Sequence, residues 1–174
     1  MPKRDKNSVS LAGEFAVLSQ LALQNLNASM ALGRTKGVDI LISDPDKRMD
    51  RLEVKTKCRN SKKNVRKSKD FGKFFDSWMM HKKHEEINDP ALFYCFVHIV
   101  DLKNEKIFRF FILPSKTVAK YVKENHQYWL KVGQKQGRRV KDTDMRLLRI
   151  GLKGEEYPVD TPLAGSFENN WEFA

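Results

Sequence analysis

Three observations predict an α/β fold: an apolar helical repeat near the N-terminus, two period-two segments joined by a turn-rich stretch, and a near-continuous aromatic and β-branched run in mid-chain. The helix comes first. From Ser8 or Ser10, either of which can cap it, Leu11, Phe15, Leu18, Ala22 and Leu26 recur at i, i+4, i+7, i+11 and i+15. Gly13 within its first turns costs about 1 kcal/mol relative to Ala, which points to close backbone packing there. Residues 38–43 (VDILIS) and 51–57 (RLEVKTK) then alternate with period two, and the intervening DPDKRMD makes them a β-hairpin. A second helix is expected after Asp70 as cap, with Phe71, Phe74, Phe75, Trp78 and Met79 as its apolar face and His81 and His84 on its surface. Residues 91–100 (ALFYCFVHIV) fit a central strand buried on both faces, and 106–113 (KIFRFFIL) fit another. Pro114 and Ser115 open a short helix to about Val122.

A chain of 174 residues with 40% hydrophobic content is expected to be one globular domain, 1–174, with 130–174 a C-terminal extension that the pattern does not assign. The longest apolar run, 91–97, ends at His98, far short of the roughly 18 residues needed to span a bilayer. No membrane association is expected. The opening MPKRDKNS leads into an amphipathic segment containing Glu14, not a secretory signal, so a cytoplasmic protein is expected. Cys58 and Cys95 can form at most one bridge, carry no zinc-cluster spacing, and are read as inert thiols.

Lys and Arg number 33 against 22 Asp and Glu, a net charge of +11 that favours polyanionic partners, nucleic acid first. The charge is concentrated. Between residues 59 and 69 six of eleven are basic (Arg59, Lys62, Lys63, Arg66, Lys67, Lys69) and none is acidic, while 131–141 holds five in eleven. Neither stretch has the apolar face of a membrane-binding helix.

The hairpin supplies the chemistry. With its turn centred on Asp46, Asp39 opposes Glu53, Leu41 opposes Arg51 and Gly37 opposes Lys55. Asp39, Glu53 and Lys55 then share one face, and Val38, Ile40, Ile42, Leu52 and Val54 cover the other. Opposed carboxylates lie with Cβ atoms about 4.5–5.5 Å apart, where like charge is unfavourable unless a cation intervenes. Hard oxygen ligands suit Mg²⁺ or Mn²⁺, and Lys55 would act on a water or on phosphate charge. A surface ladder of alternating charges explains the same residues without chemistry.

Glu14 in an N-terminal helix, Asp39 after Gly37 and Val38, then Glu53, Val54 and Lys55 on the next strand resemble the PD-(D/E)XK nuclease superfamily. GEFAVLSQL, GVDILI and LEVKTK, followed by FYCFVHIVD, FRFFILPS and TVAKYV, are similar to small prokaryotic members over roughly residues 11–125. The motif's proline is Val38 here. The resemblance implies a restriction-endonuclease-like αβββαβ core, a mixed sheet flanked by helices, and a metal-dependent endonuclease acting on DNA. It implies Asp39 and Glu53 as metal ligands with the Val54 carbonyl, Lys55 as the residue that positions or deprotonates the attacking water, and Glu14 as a catalytic group approaching from the helix. Mg²⁺ or Mn²⁺ is the implied cofactor. No organic cofactor is expected, because no Gly-rich loop opens a helix. Lys57, on the Lys55 face, joins the basic loop Arg59, Lys62, Lys63, Arg66, Lys67 and Lys69 as the expected phosphate-binding set, and Thr56 is expected to pack on the core side. Paired cuts in duplex DNA would require two sites, hence a homodimer. The rival is a DNA- or RNA-binding protein that keeps the fold without catalysis.

Overall fold

The computed structural model describes residues 5–31, 37–43, 49–59, 65–102 and 105–173. Backbone contacts gather the chain into two compact units, the first from Met1–Lys62, Pro90–Pro114 and Glu168–Ala174, the second from Lys63–Asp89 and Ser115–Phe167.

The first unit opens with helix α1 (Lys6–Leu23), followed by β1 (Asn27–Met30), β2 (Ile40–Ser43) and β3 (Asp50–Arg59). β1 pairs antiparallel with β2, and β2 antiparallel with β3 in the expected register, Ile40 with Leu52, Leu41 with Arg51 and Ile42 with Asp50. Turn residues 44–48 lie outside the described residues. That register aims Ile40, Ile42, Leu52 and Val54 into one apolar core with Val17 and Leu21 of α1.

α1 differs from its sequence reading in cap and face. Its cap is Asp5, whose carboxylate accepts from the Ser8 N–H at 2.9 Å, not Ser8 or Ser10. The buried line is Gly13, Val17 and Leu21, whereas Leu11 and Phe15 are 46% and 57% exposed. Apolar residues ring this helix, so the smallest one decides which side docks. A Cβ on Gly13 would sit 1.8 Å from Thr56 Oγ1 and 2.8 Å from Thr56 Cβ. Because Thr56 Cβ itself obstructs, no rotamer change clears the clash. Gly13→Ala is therefore expected to destabilise the protein by about 1–3 kcal/mol despite Ala's better helix propensity, as a lower urea midpoint in equilibrium unfolding.

The sheet continues through β7 (Leu92–Leu102) and β8 (Glu105–Pro114), and its full order is β1-β2-β3-β7-β8. β7 runs parallel to β3, with Glu53 beside Tyr94 and Lys55 beside Phe96, and antiparallel to β8. As expected of a central strand, β7 is buried from Leu92 to Asp101. A parallel pair needs a long crossover, and this one carries residues 63–89, the first segment of the second unit. The unassigned C-terminus completes the first core. Asn169 N–H donates to the Phe110 carbonyl at 2.9 Å, Arg109 holds Glu168 at 2.5 and 2.7 Å, and Trp171 and Phe173 pack their rings on Phe110 and Phe93.

In the second unit the helix expected to follow Asp70 and to carry His81 and His84 is absent. The segment forms β5 (Gly72–Phe74), paired with β4 (Arg66–Ser68), and β6 (Asp76–His81), paired antiparallel with β9 (Met145–Ile150). Gly72 at φ +82° interrupts helical backbone, and burial along β6 alternates, with Trp78 and Met80 inside and Met79 and His81 exposed. A short 3₁₀ helix (Lys82–Glu85) follows, with His84 buried. The helix expected to end near Val122 is α2 (Ser115–Lys135), which takes in the first part of the second basic stretch, and α3 (Ala164–Phe167) is one turn.

Cys58 and Cys95 are free thiols, and burial pushes that of Cys95 up. Among the described residues no helix is long and apolar enough to cross a membrane.

Candidate active site

Asp39 stands where β2 loses its regular path. Within a regular strand the N–H and C=O of one residue point to the same side, yet the Asp39 N–H donates to Leu52 on β3 at 2.8 Å while its carbonyl accepts from Ala31 on the other side at 2.9 Å. The paired register accordingly ends at Ile40 and Leu52, one step short of the expected Asp39–Glu53 pair. The bend brings the Asp39 carboxylate to the edge of β3, where Oδ2 accepts from the Val54 N–H at 2.7 Å. The Val54 carbonyl projects from the same edge, since Val54 turns both backbone groups away from β7. Burial raises the Asp39 pKa most, and the nearby Glu53 charge raises it further, while the Val54 N–H and Lys55 oppose the shift.

One residue before Val54, the Glu53 carboxylate is buried, and one residue after it the Lys55 ammonium donates to Glu53 Oε1. Lys55 keeps 30% side-chain exposure, against 6% for Glu53, so the ion pair is open to solvent on the lysine side. Two further residues shape this carboxylate. Tyr94, its neighbour across the parallel ladder, hydrogen-bonds to the Glu53 side chain; burial, then the Glu53 charge and this bond, push the phenol pKa up. Gly37, at φ +78°, passes so close that a Cβ there would stand 3.4 Å from Glu53 Oε2. A side chain would fit at that distance, so what calls for glycine at 37 is the positive φ.

The structure thus brings Asp39, Glu53, Val54 and Lys55 together. Glu14 is placed on α1, half-buried, accepting from Ser10 Oγ at 3.2 Å, on a helix that packs against the Thr56 side of β3. Among the described residues no three His, Cys, Asp or Glu side chains form a group able to hold a metal, so Glu14 is not assembled with Asp39 and Glu53. Thr56 packs against α1 as expected. Lys57 and Arg59 are half-buried on β3; Arg66 and Lys67 belong to β4, Lys69 follows it, and all three are exposed. Lys62 and Lys63 lie outside the described residues.

The donor set suits a hard divalent cation. Two carboxylates and a backbone carbonyl are oxygen ligands of the kind Mg²⁺ and Mn²⁺ take. Sequence reasoning assigned no role to Tyr94 or Gly37. The Gly-x-Asp spacing carried a signal for the glycine; the tyrosine had none, because no turn links β3 to β7 and so no short-range pattern sets their register.

No family model and no curated protein matches the chain. Among solved structures it is similar to a bacterial homing endonuclease, I-Ssp6803I, with a TM-score of 0.51 and 9% identity over 97% of this chain and 91% of that one. At that identity the likeness is one of fold, and over nearly their whole lengths the two chains share a mixed α/β, nuclease-like architecture.

Proposed function

We propose that the protein is a metal-dependent endonuclease of the PD-(D/E)XK type that hydrolyses DNA phosphodiester bonds. One observation carries the reading: Asp39, Glu53 and Lys55 converge at one strand edge, in a fold shared with an endonuclease. Asp39, Glu53 and the Val54 carbonyl hold Mg²⁺ or Mn²⁺, which when bound polarises phosphate oxygens and lowers the pKa of water. The Val54 N–H fixes the Asp39 carboxylate, and Tyr94 fixes that of Glu53. Lys55 leaves its ion pair to orient the attacking water or to meet charge that develops on the phosphate. Glu14, which is not grouped with Asp39 and Glu53, would act from α1 by orienting a water and not as a metal ligand. The basic residues of the chain bind backbone phosphates, which sets affinity and register without reading sequence. Two copies would supply paired cuts.

The experiment is incubation with supercoiled plasmid, linear duplex, branched DNA and single-stranded RNA in Mg²⁺, Mn²⁺ or EDTA. Strand scission of a DNA substrate only with metal is the expected result. Binding without scission under every metal condition would instead favour the non-catalytic reading.

Tyr94→Phe removes the hydroxyl that orients Glu53 and leaves the buried ring in place. It is expected to weaken Mn²⁺ binding or activity by about 10–100-fold, measured by calorimetry and by plasmid nicking rates. Wild-type values for both would limit Tyr94 to packing.

A further inference from the structure

The end of the first basic stretch, residues 66–69, meets the second basic stretch in the second unit. Asp70, in the turn between β4 and β5, accepts from the Arg138 guanidinium at 2.6 Å and from the Gln136 amide at 3.3 Å, and its carbonyl accepts from the Tyr128 hydroxyl at 3.0 Å. The β4–β5 hairpin is thereby tied to the C-terminal half of α2 and the segment that follows it. Arg66, Lys67 and Lys69 are exposed from one side of this junction, and Lys131, Lys135 and Arg139 from the other. Within residues 66–74 and 131–141 Asp70 is the single acidic residue. Its charge is already answered, since the Arg138 hydrogen bond holds the carboxyl below its ordinary value.

Between the hairpin and α2 lies a cleft of about 290 Å³, with Lys69, Phe71, Tyr128, Trp129, Arg138 and Arg149 among its walls. The walls are braced from behind. Arg149 lies over the Phe71 ring at 4.3 Å and donates to Asn125 Oδ1 at 2.6 Å, and Phe71 stacks on Tyr157 at 5.3 Å. Trp129 stacks on His126 with centroids 5.6 Å apart, and His126 is hydrogen-bonded to Asp142 at 2.8 Å.

A volume near the lower end of small-ligand sites excludes a duplex but admits one base with its sugar. Aromatic walls offer stacking that every base can use, and a basic rim neutralises the phosphates on either side of it. We infer that this cleft binds one unstacked nucleotide of a DNA strand, with the base against Tyr128 and Trp129 and its flanking phosphates on Lys69, Arg138 and the neighbouring cations. The choice of DNA rests on the nuclease reading above; the cleft shares no residue with the Asp39 site.

The test uses the full chain carrying Asp39→Asn and two fluorescent duplexes, one perfect and one with a single unpaired thymine. Anisotropy is expected to show the second bound about tenfold more tightly, the contribution of one stacked base, and Trp129→Ala to bring the ratio to about one. Should that variant melt early, the wild-type cleft still answers by photo-crosslinking. With 5-iodouracil at the unpaired position, the cross-link is expected in the tryptic peptide of residues 124–131, which holds Tyr128 and Trp129. Equal affinities together with no cross-link in that peptide overturn the cleft assignment, as does competition by free thymidine monophosphate at the concentration of the strand. If the unmutated protein cuts perfect duplex while the ratio is one, the cleft assignment alone falls. If it neither binds nor cuts any DNA, the nuclease reading fails first.

Discussion

Asp39→Asn and Glu53→Gln are each expected to lower DNA cleavage by about 10³-fold or more, because each removes an anionic ligand, and the charge stabilisation a bound metal contributes amounts to several kcal/mol. Neither change alters side-chain size appreciably. Asn at 39 keeps an oxygen acceptor for the Val54 N–H, so the bend at the strand edge survives the substitution. The metal-free protein is expected to become slightly more stable with Asn at 39, by about 0.2–1 kcal/mol, since a half-buried carboxylate next to a second one is relieved of its charge. Activity in Mg²⁺ and melting temperature in EDTA should therefore move in opposite directions. A variant that cleaves normally would remove Asp39 or Glu53 from the site, and wild-type cleavage in EDTA would dispose of the metal altogether.

Lys55→Met is expected to reduce turnover by about 10²–10⁴-fold, the usual range for a positioned proton-transfer group, while leaving Mn²⁺ binding largely intact. The separation follows from geometry. Lys55 touches Glu53 through one oxygen only and donates no ligand atom, and Met retains the apolar stem that lies along β3. Calorimetry with Mn²⁺ and single-turnover cleavage on the same preparation distinguish the outcomes. Loss of both would mean that the lysine holds Glu53 in place and does nothing further; loss of neither would reduce the pair to a surface ion pair.

The hairpin was legible because one of its faces is buried: a one-residue slip would turn Ile40, Ile42, Leu52 and Val54 out of the core, so alternation alone determines the pairing of β2 with β3. The bend at Asp39 was not legible, since it depends on the main-chain contacts of one residue with two strands. Residues 71–81 misled because Phe71, Phe74, Phe75 and Trp78 suit a helical stripe as well as they suit a strand. What decides is β9, a partner remote in sequence whose own pattern is short. The α1 face was misread for a related reason: large apolar residues were counted, whereas the docking side is set by the absence of a side chain at Gly13. For the candidate site, the residues carried by local alternation were readable, and Tyr94, which depends on the register of two strands joined only through a crossover, was not.

The return of residues 168–173 to β8 has a consequence for the order in which the first core folds. The sheet that holds Asp39, Glu53 and Lys55 is complete only when Trp171 and Phe173 have covered Phe110 and Phe93 and Glu168 has neutralised Arg109, contacts between residues far apart in sequence. The pairings of β1, β2 and β3 are local and form early, whereas the first core closes only when this distant segment arrives. Contacts of such high sequence separation slow folding and leave the sheet unfinished until they form. A chain whose residues 168–173 fail to dock is left with an open apolar face on the sheet that carries Asp39, Glu53 and Lys55.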